Sequence, residues 1–315
     1  MLVIDAARVA SVLTPALLIE ALREGFRAPI EVPVRHHHAI PRAEGEMATL
    51  LLMPAWSKTA VGGYIGIKVA SVFPLNATRG APSVEASYLL MAGETGTPLA
   101  VMDGRAITLW RTAAASALAA SYLAKPKASR LLIVGAGALA PHLIKAHATA
   151  RPIAEVEIWN RDVAKAEHLA AQLDGSLRVK AAPHLEAAVR RADIISAATL
   201  STEPLIHGAW LQPGAHVDLV GGFTPKMREA DDDCLRRASV FVDTRAGASK
   251  EAGDIVQPLS TGVITDADIK GDLFDLCRGV HAGRKTDDEI TYFKSVGTAI
   301  EDLAAAILVY TRVKN

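Results

Sequence analysis

The chain has 315 residues, half of them hydrophobic and 22% charged, with 34 Lys+Arg against 34 Asp+Glu. That length suits two domains with sizeable cores, and the balanced charge excludes a global field drawing the protein to nucleic acid or an anionic membrane. Its two cysteines, Cys234 and Cys277, lie far apart without metal-ligand spacing, as suits a reducing cytoplasm.

The opening stretch "MLVIDAARVASVL" lacks the basic start and long apolar core of a secretory signal. No uncharged apolar run reaches the roughly 18 residues that a membrane span needs. In "VRHHHAIPR", residues 34–42, adjacent histidines on an extended segment point alternately to opposite sides, and no Cys, Asp or Glu partner lies nearby. No metal site is expected there, and Arg35 is the more interesting residue. "YIGIKVASVF", "ASYLLMA" and "PLAVMDG" then read as strands, with a turn at "AGETGTP". Alternation along the first of these puts Tyr64, Gly66, Lys68 and Ala70 on one face, so Lys68 looks out over small neighbours with room for a ligand. In "DGRAITLWRTAAASALAA", Thr108 can cap a helix whose first turn carries Arg111. An arginine at a helix N-terminus strengthens an anion site rather than complementing the dipole. These pieces predict a separate α+β domain over residues 1–120.

After the break "KPKAS" the rhythm changes. "RLLIVGAG", "VEIWN", "LRVKAA", "DIISAAT", "AHVDLVGG" and "SVFVDT" are short apolar runs, and helical patterns such as "DVAKAEHLAAQL" and "HLEAAVRRA" lie between several of them. Strands alternating with helices predict a parallel sheet wrapped by helices, an α/β domain over residues 121–292. Gly135, Gly137 and Ala140 form G-x-G-x-x-A directly after a strand and at the head of a helix. The glycines permit a tight turn and close backbone approach to a pyrophosphate at the helix N-terminus, the pattern of a Rossmann-type dinucleotide site. The next strand ends in Asn160-Arg161, where NAD enzymes commonly carry an acid for the ribose hydroxyls. With no carboxylate at the tip and an arginine available for a 2′-phosphate, NADPH is expected to be preferred, with NADH possible.

From about residue 30 onward the chain resembles the ornithine cyclodeaminase/mu-crystallin family. The segments that carry the resemblance are "PVR", "MPA", "GIKVASVFP", "PLAVMDG", "ITLWRTAAASALAASYLA", "LLIVGAGALA", "VEIWNR", "ATLSTEPLI", "PGAHVDLVGGFTPKMRE" and "FKSVGTAIEDLAAA". The resemblance implies a homodimer whose α+β domain, completed by a C-terminal helix over about 293–315, carries dimer contacts and substrate residues beside a Rossmann NAD(P) domain. It makes Lys68 the catalytic lysine and Arg35 and Arg111 the holders of a substrate carboxylate. It puts Ser83, Thr112, Gly135, Ala136, Gly137, Ala138, Leu139, Asn160, Arg161, Thr199, Leu200, Val220 and Ser295 at the cofactor.

One departure matters: where ornithine cyclodeaminases carry an aspartate that handles the distal amine, this chain has Phe223. Phenylalanine can pack on an apolar ring but cannot manage an ammonium; a nearby acid, Asp218 or Glu229, is the alternative. The resemblance with this departure implies a ketimine reductase, reducing Δ1-pyrroline-2-carboxylate to L-proline and, as a second substrate, Δ1-piperideine-2-carboxylate to L-pipecolate. Ornithine cyclodeaminase, alanine dehydrogenase and a non-catalytic NADPH-binding crystallin are the other readings.

Overall fold

The computed structural model describes residues 1–42, 47–58, 63–173, 175 and 177–314. The chain divides into two compact units, Met1–Arg111 with the segment from Thr298 to the C-terminus, and Thr112–Gly297. The sequence places the breaks at 120/121 and 292/293. A helix runs unbroken across the first position, and a strand occupies the second.

In the first unit, β1 (Leu2–Ile4) leads into α1 (Ala6–Val12), capped by Asp5, and α2 (Pro15–Arg27), capped by Thr14 with Pro15 at its start. Leu18, Ile19, Leu22 and Phe26 recur at helical spacing and are buried along one side of α2. The strands β2 (Ile30–Glu31), β3 (His36–Ile40), β4 (Ala48–Ser57), β5 (Tyr64–Val72), β6 (Val84–Ala92) and β7 (Pro98–Asp103) follow. With β1 they form a seven-stranded sheet ordered β1-β7-β6-β5-β4-β2, with β3 pairing β4 off this path. All pairs are antiparallel except β1 with β7.

Register aligns Met53, Lys68, Tyr88 and Met102 across four strands in one row, and Ala55, Gly66, Leu90 and Ala100 in the next. All eight are buried. The C-terminal helix, Ala299–Lys314, covers this face, with Leu303 against Gly66 and Ala304 against Gly25 of α2. A helix apolar nearly all round is one enclosed on several sides, and its run of small alanines permits close approach. Helix α3 (Gly104–Leu123) starts directly from β7: Asp103 Oδ1 accepts the Ala106 N–H at 2.7 Å. A Cβ at Gly104 would stand 2.9 Å from the Ala86 backbone, so only glycine permits this turn.

The second unit holds β8 (Arg130–Val134), α4 (Ala140–Ala150), β9 (Glu155–Trp159), α5 (Val163–Gln172), β10 (Arg178–Ala181), α6 (Leu185–Val189), β11 (Ile194–Ala197) and β12 (His216–Leu219). Then come α7 (Asp232–Arg237), β13 (Ser239–Val242), α8 (Arg245–Glu251), α9 (Gly253–Ser260), β14 (Ile269–Asp272), α10 (Leu273–Cys277) and β15 (Thr291–Lys294). Its sheet is parallel throughout, ordered β10-β9-β8-β11-β12-β15-β13-β14. Strands covered on both faces read as continuous apolar runs, which is why "LLIV" and "DIISA" were legible. The chain winds outward from β8 to β10 and restarts at β11 on the other side, so a crevice opens at the C-terminal ends of β8 and β11. No helix among the described residues is long and apolar enough to cross a membrane.

Candidate active site

In the first unit, β5, α3 and the C-terminal helix bring two cations and two carboxylates together in a buried cluster. Lys68 Nζ donates to Asp302 Oδ1 at 2.9 Å, with Oδ2 at 2.8 Å, and to Thr108 Oγ1 at 3.4 Å. Arg111 Nε donates to the same Asp302 Oδ1 at 3.1 Å, and its Nη1 to Glu301 Oε2 at 2.6 Å. Lys68 and Arg111 are only 3% and 5% exposed, and both acids are fully buried. Asp302 is thus the bridge between the two cations. Held by both, its carboxyl stays below the usual range although burial opposes ionisation. Lys68 is less favoured in its charged form: burial pulls it down to about 8, Asp302 opposes this, and Arg111 and Arg35 add to it.

Two expectations are corrected here. Helix α3 begins at Gly104, so Thr108 is not its cap and Arg111 lies beyond its first turn. Thr108 instead donates to Gly104 O at 2.7 Å, which leaves its oxygen to accept from Lys68. Arg111 owes its place to Glu301 and Asp302 rather than to an anion site at a helix N-terminus. The space over Gly66, on the same face as Lys68, is filled. A Cβ on Gly66 would stand 2.0 Å from the Tyr88 hydroxyl and 3.0 Å from Leu303.

Arg35 precedes β3 and is half-buried, its Nη1 4.0 Å from the sulfur of Met53, which faces Lys68 across the β4–β5 ladder. Arg35 therefore lies toward the Lys68 side of the sheet. The neighbouring His36, His37 and His38 are exposed. Among the described residues, no three His, Cys, Asp or Glu side chains could hold a metal. Ser83, at the start of β6, is half-buried and its carbonyl accepts the Phe73 N–H at 2.8 Å.

In the second unit the glycine motif sits at the crevice. Gly135 has φ +108°, and a Cβ there would lie 2.8 Å from Ala198 O, so the turn after β8 packs directly on the segment after β11. At Gly137 a Cβ would meet only open space. No side chain caps α4 at Leu139: the Ala140 and His142 N–H groups bond back to Gly137 O and Leu139 O, Pro141 has none, and the helix start stands beside the exposed Ala138 with no side chain over it. Ala136 N–H donates to Asn160 Oδ1 at 3.2 Å, tying the loop to the end of β9, where Arg161 is exposed. Backbone free of side chains beside an uncapped helix start suits a pyrophosphate, and the arginine at the next strand's end suits a further phosphate.

Of the other expected cofactor positions, Thr199 and Val220 follow β11 and β12, half-buried, and Leu200 is 66% exposed. Thr112, on α3, is half-buried. Ser295 is buried and its hydroxyl donates to Asp243 Oδ2 at 3.2 Å, while Asp243 also takes the N–H groups of Val296 and Gly297. Phe223 is half-buried in the loop after β12. The acids weighed as replacements for its missing carboxylate are fully occupied. Asp218 accepts from Ser116, Ser196 and His147, and Glu229 from Thr199, Gly221 and Gly222.

The sequence reading missed Glu301 and Asp302, although two adjacent acids in the alanine-rich "GTAIEDLAAA" were a usable signal. Burial in such a run demands partners.

The family model for the ornithine cyclodeaminase/mu-crystallin family matches residues 2–315. A Δ1-pyrroline-2-carboxylate reductase of Paracoccus denitrificans is 40% identical over 290 residues, 91% of this chain and 89% of that protein. The structure of Thermococcus litoralis Δ1-pyrroline-2-carboxylate reductase in complex with NADH and L-proline superposes with a TM-score of 0.93 at 32% identity, covering 100% of this chain and 98% of the other. An archaeal alanine dehydrogenase dimer with bound NAD gives 0.92 at 31% identity, covering 100% and 96%. Matched along nearly its whole length in sequence and in fold, this chain belongs to the ornithine cyclodeaminase/mu-crystallin family.

Proposed function

We propose that the protein reduces a cyclic imino acid, Δ1-pyrroline-2-carboxylate first and Δ1-piperideine-2-carboxylate second, to L-proline or L-pipecolate, with NADPH preferred over NADH. The observation that carries this reading is the buried Lys68–Asp302–Arg111 cluster. It offers a cationic proton donor and a guanidinium in water-poor surroundings.

A bound reduced nicotinamide supplies the hydride that goes to the C=N carbon. The chain's own residues do the rest. Arg35 and Arg111 hold the carboxylate; Arg111 is already engaged through Nε and Nη1, which leaves Nη2 for the substrate. The imine accepts hydride well only when its ring nitrogen is protonated, and Lys68, directly or through a water, donates or stabilises that proton. A donor brought down to about 8 is matched to neutral conditions, close to where proton transfer works best. Asp302 orients the ammonium and keeps it charged. Phe223 packs against a ring that carries no distal amine. The dinucleotide rests on the Gly135–Leu139 loop, and Arg161 pairs with a 2′-phosphate. As with the alanine dehydrogenase dimer, we take the working form to be a homodimer, acting in the cytoplasm.

The test is a panel following NADPH and NADH oxidation with pyrroline-2-carboxylate, piperideine-2-carboxylate, or pyruvate plus ammonia, beside an ornithine-to-proline assay. Fast reduction of a cyclic imine, faster with NADPH, is expected. Robust ornithine cyclisation without imine reduction would overturn the reading.

A further inference from the structure

One buried carboxylate fastens two of the strand-end loops of the second unit to each other. Glu229, fully buried in the loop between β12 and α7, accepts through Oε1 from the Thr199 N–H at 2.7 Å and the Thr199 hydroxyl at 2.8 Å. Its Oε2 accepts from the Gly221 N–H at 2.9 Å and the Gly222 N–H at 3.2 Å. Behind it, Asp254 on α9 accepts from the N–H groups of Glu229 and Ala230, at 2.7 and 3.1 Å. Lys294, the last residue of β15, lies 3.0 Å from Asp254 Oδ2 and 3.7 Å from Glu229 Oε2.

The backbone closes tightly around this carboxylate. A Cβ at Gly221 would stand 2.1 Å from Thr199 O, and one at Gly222 would stand 3.0 Å from Asp254 Oδ2. On the other side of the same segment, a Cβ at Gly135 would meet Ala198 O at 2.8 Å and Thr199 Cγ2 at 3.3 Å. Close packing therefore runs from Lys294 through Glu229 and Thr199 to the glycine loop. The loop that Glu229 holds through Gly222 leads directly into Phe223.

Such a cluster is an expensive way to gain stability alone, because desolvating ions offsets most of their attraction. Its value lies in geometry. Where the strands end, the ladder no longer satisfies backbone N–H groups, and those groups need acceptors. One carboxylate takes four donors from two loops at once without filling the crevice; burial pushes its pKa up to about 7, with Asp254 adding to this and Lys294 and the Thr199 donors opposing it.

We propose that Glu229 is the positioning residue of the dinucleotide crevice: it sets Thr199 against the Gly135 loop and places Phe223 through Gly222. Cofactor affinity and imine KM then both depend on a side chain that presents no surface to either ligand. This rests on the reading that a nicotinamide dinucleotide occupies the crevice.

Glu229→Gln keeps the shape and one acceptor but turns an NH2 group toward N–H donors. The experiment titrates NADH and NADPH by fluorescence into wild type and variant, then measures KM and kcat for pyrroline-2-carboxylate. Both cofactor Kd values should rise by about tenfold or more, the size expected for a lost charge-assisted hydrogen bond. They should rise in parallel, since the 2′-phosphate lies toward Arg161, and imine KM should rise more than kcat falls. Unchanged Kd and KM with only a lower Tm would make the cluster purely structural and overturn the proposal, as would a changed NADPH:NADH ratio. If Glu229→Gln does not fold, Asp254→Asn, which loosens Glu229 from behind, is read by the same criteria with a severalfold rise in both Kd values expected. Wild-type protein that binds neither dinucleotide would sink the crevice reading itself, a result separable from any behaviour of the variants.

Discussion

Asp302 meets Lys68 at 2.9 Å across 234 residues of sequence, and the same carboxylate oxygen also receives Arg111. The C-terminal helix thereby supplies the counter-ion for a lysine presented by a central strand. Both partners are buried, so the coupling acts in a low-dielectric setting.

The pH profile of imine reduction should report this pair. Lys68 must be protonated to act, and burial brings it down to about 8 against the opposing pull of Asp302, with Arg111 and Arg35 also pressing it down. Wild-type kcat/KM should fall as pH rises through about 8. Asp302→Asn removes the only one of these charges that holds the proton on, so the fall should begin at lower pH and the rate at neutral pH should drop. A profile unmoved by the substitution would detach Lys68 from the proton-transfer step.

Lys68→Ala should slow imine reduction by about 10²–10⁴, the range for a positioned proton donor. The variant leaves Asp302 buried with Arg111 as its remaining ion-pair partner. Breaking a buried pair is costly, about 3–5 kcal/mol when a charge is left bare, and Arg111 should keep the loss below that. Calorimetry should show a lower Tm with a single cooperative transition. A rate within about tenfold of wild type would remove the lysine from catalysis.

How far the sequence is legible follows from which interactions are local. The strands of the second unit and the turn at Gly135 read directly because a doubly covered strand is an apolar run and a glycine turn is a short pattern. The start of α3 did not: its cap is Asp103, the last residue of a strand, and its first residue is a glycine required by the Ala86 backbone. Strand β15 was missed because four residues ending in a lysine do not look buried, yet Asp254 and Glu229 let Lys294 sit fully inside. Lys68 was noticed for its chemistry, but the space over its neighbour Gly66 is taken by Tyr88 and the C-terminal helix. No spacing rule joins residue 68 to residue 302.

Arg111→Lys preserves the charge but gathers its donors on one nitrogen and loses the planar fork that reaches Asp302 through Nε and Glu301 through Nη1. The imine KM should rise sharply and the NADPH Kd should stay nearly constant. Steady-state kinetics beside a cofactor titration separate the two effects. An unchanged KM would mean that the substrate carboxylate binds elsewhere.

Arg161 is exposed at the end of β9, and Asn160 is occupied with Ala136, so the arginine is the strand-end group available for a 2′-phosphate. Arg161→Ala should weaken NADPH by about 10–150-fold and NADH little, the range for losing a charge-assisted contact. Equal losses for the two cofactors would end the argument for NADPH preference.

The last prediction separates imine reduction from ornithine cyclisation at Phe223. Ring closure of ornithine needs a group to manage the distal amine, and the nearby acids are committed: Asp218 to Ser116, Ser196 and His147, Glu229 to the loops after β11 and β12. Wild-type protein should therefore reduce the cyclic imine and convert ornithine negligibly. Phe223→Asp sets a carboxylate where the ring should pack and adds a like charge to the loop that Glu229 already holds. Imine kcat/KM should fall by about tenfold or more, the cost of an unpaired polar group in an apolar contact. Cofactor Kd should barely move, because the Thr199 and Gly221 bonds to Glu229 remain. A variant that reduces the imine as well as wild type would show that Phe223 does not touch the ring. The substrate preference would then have to come from residues other than Phe223.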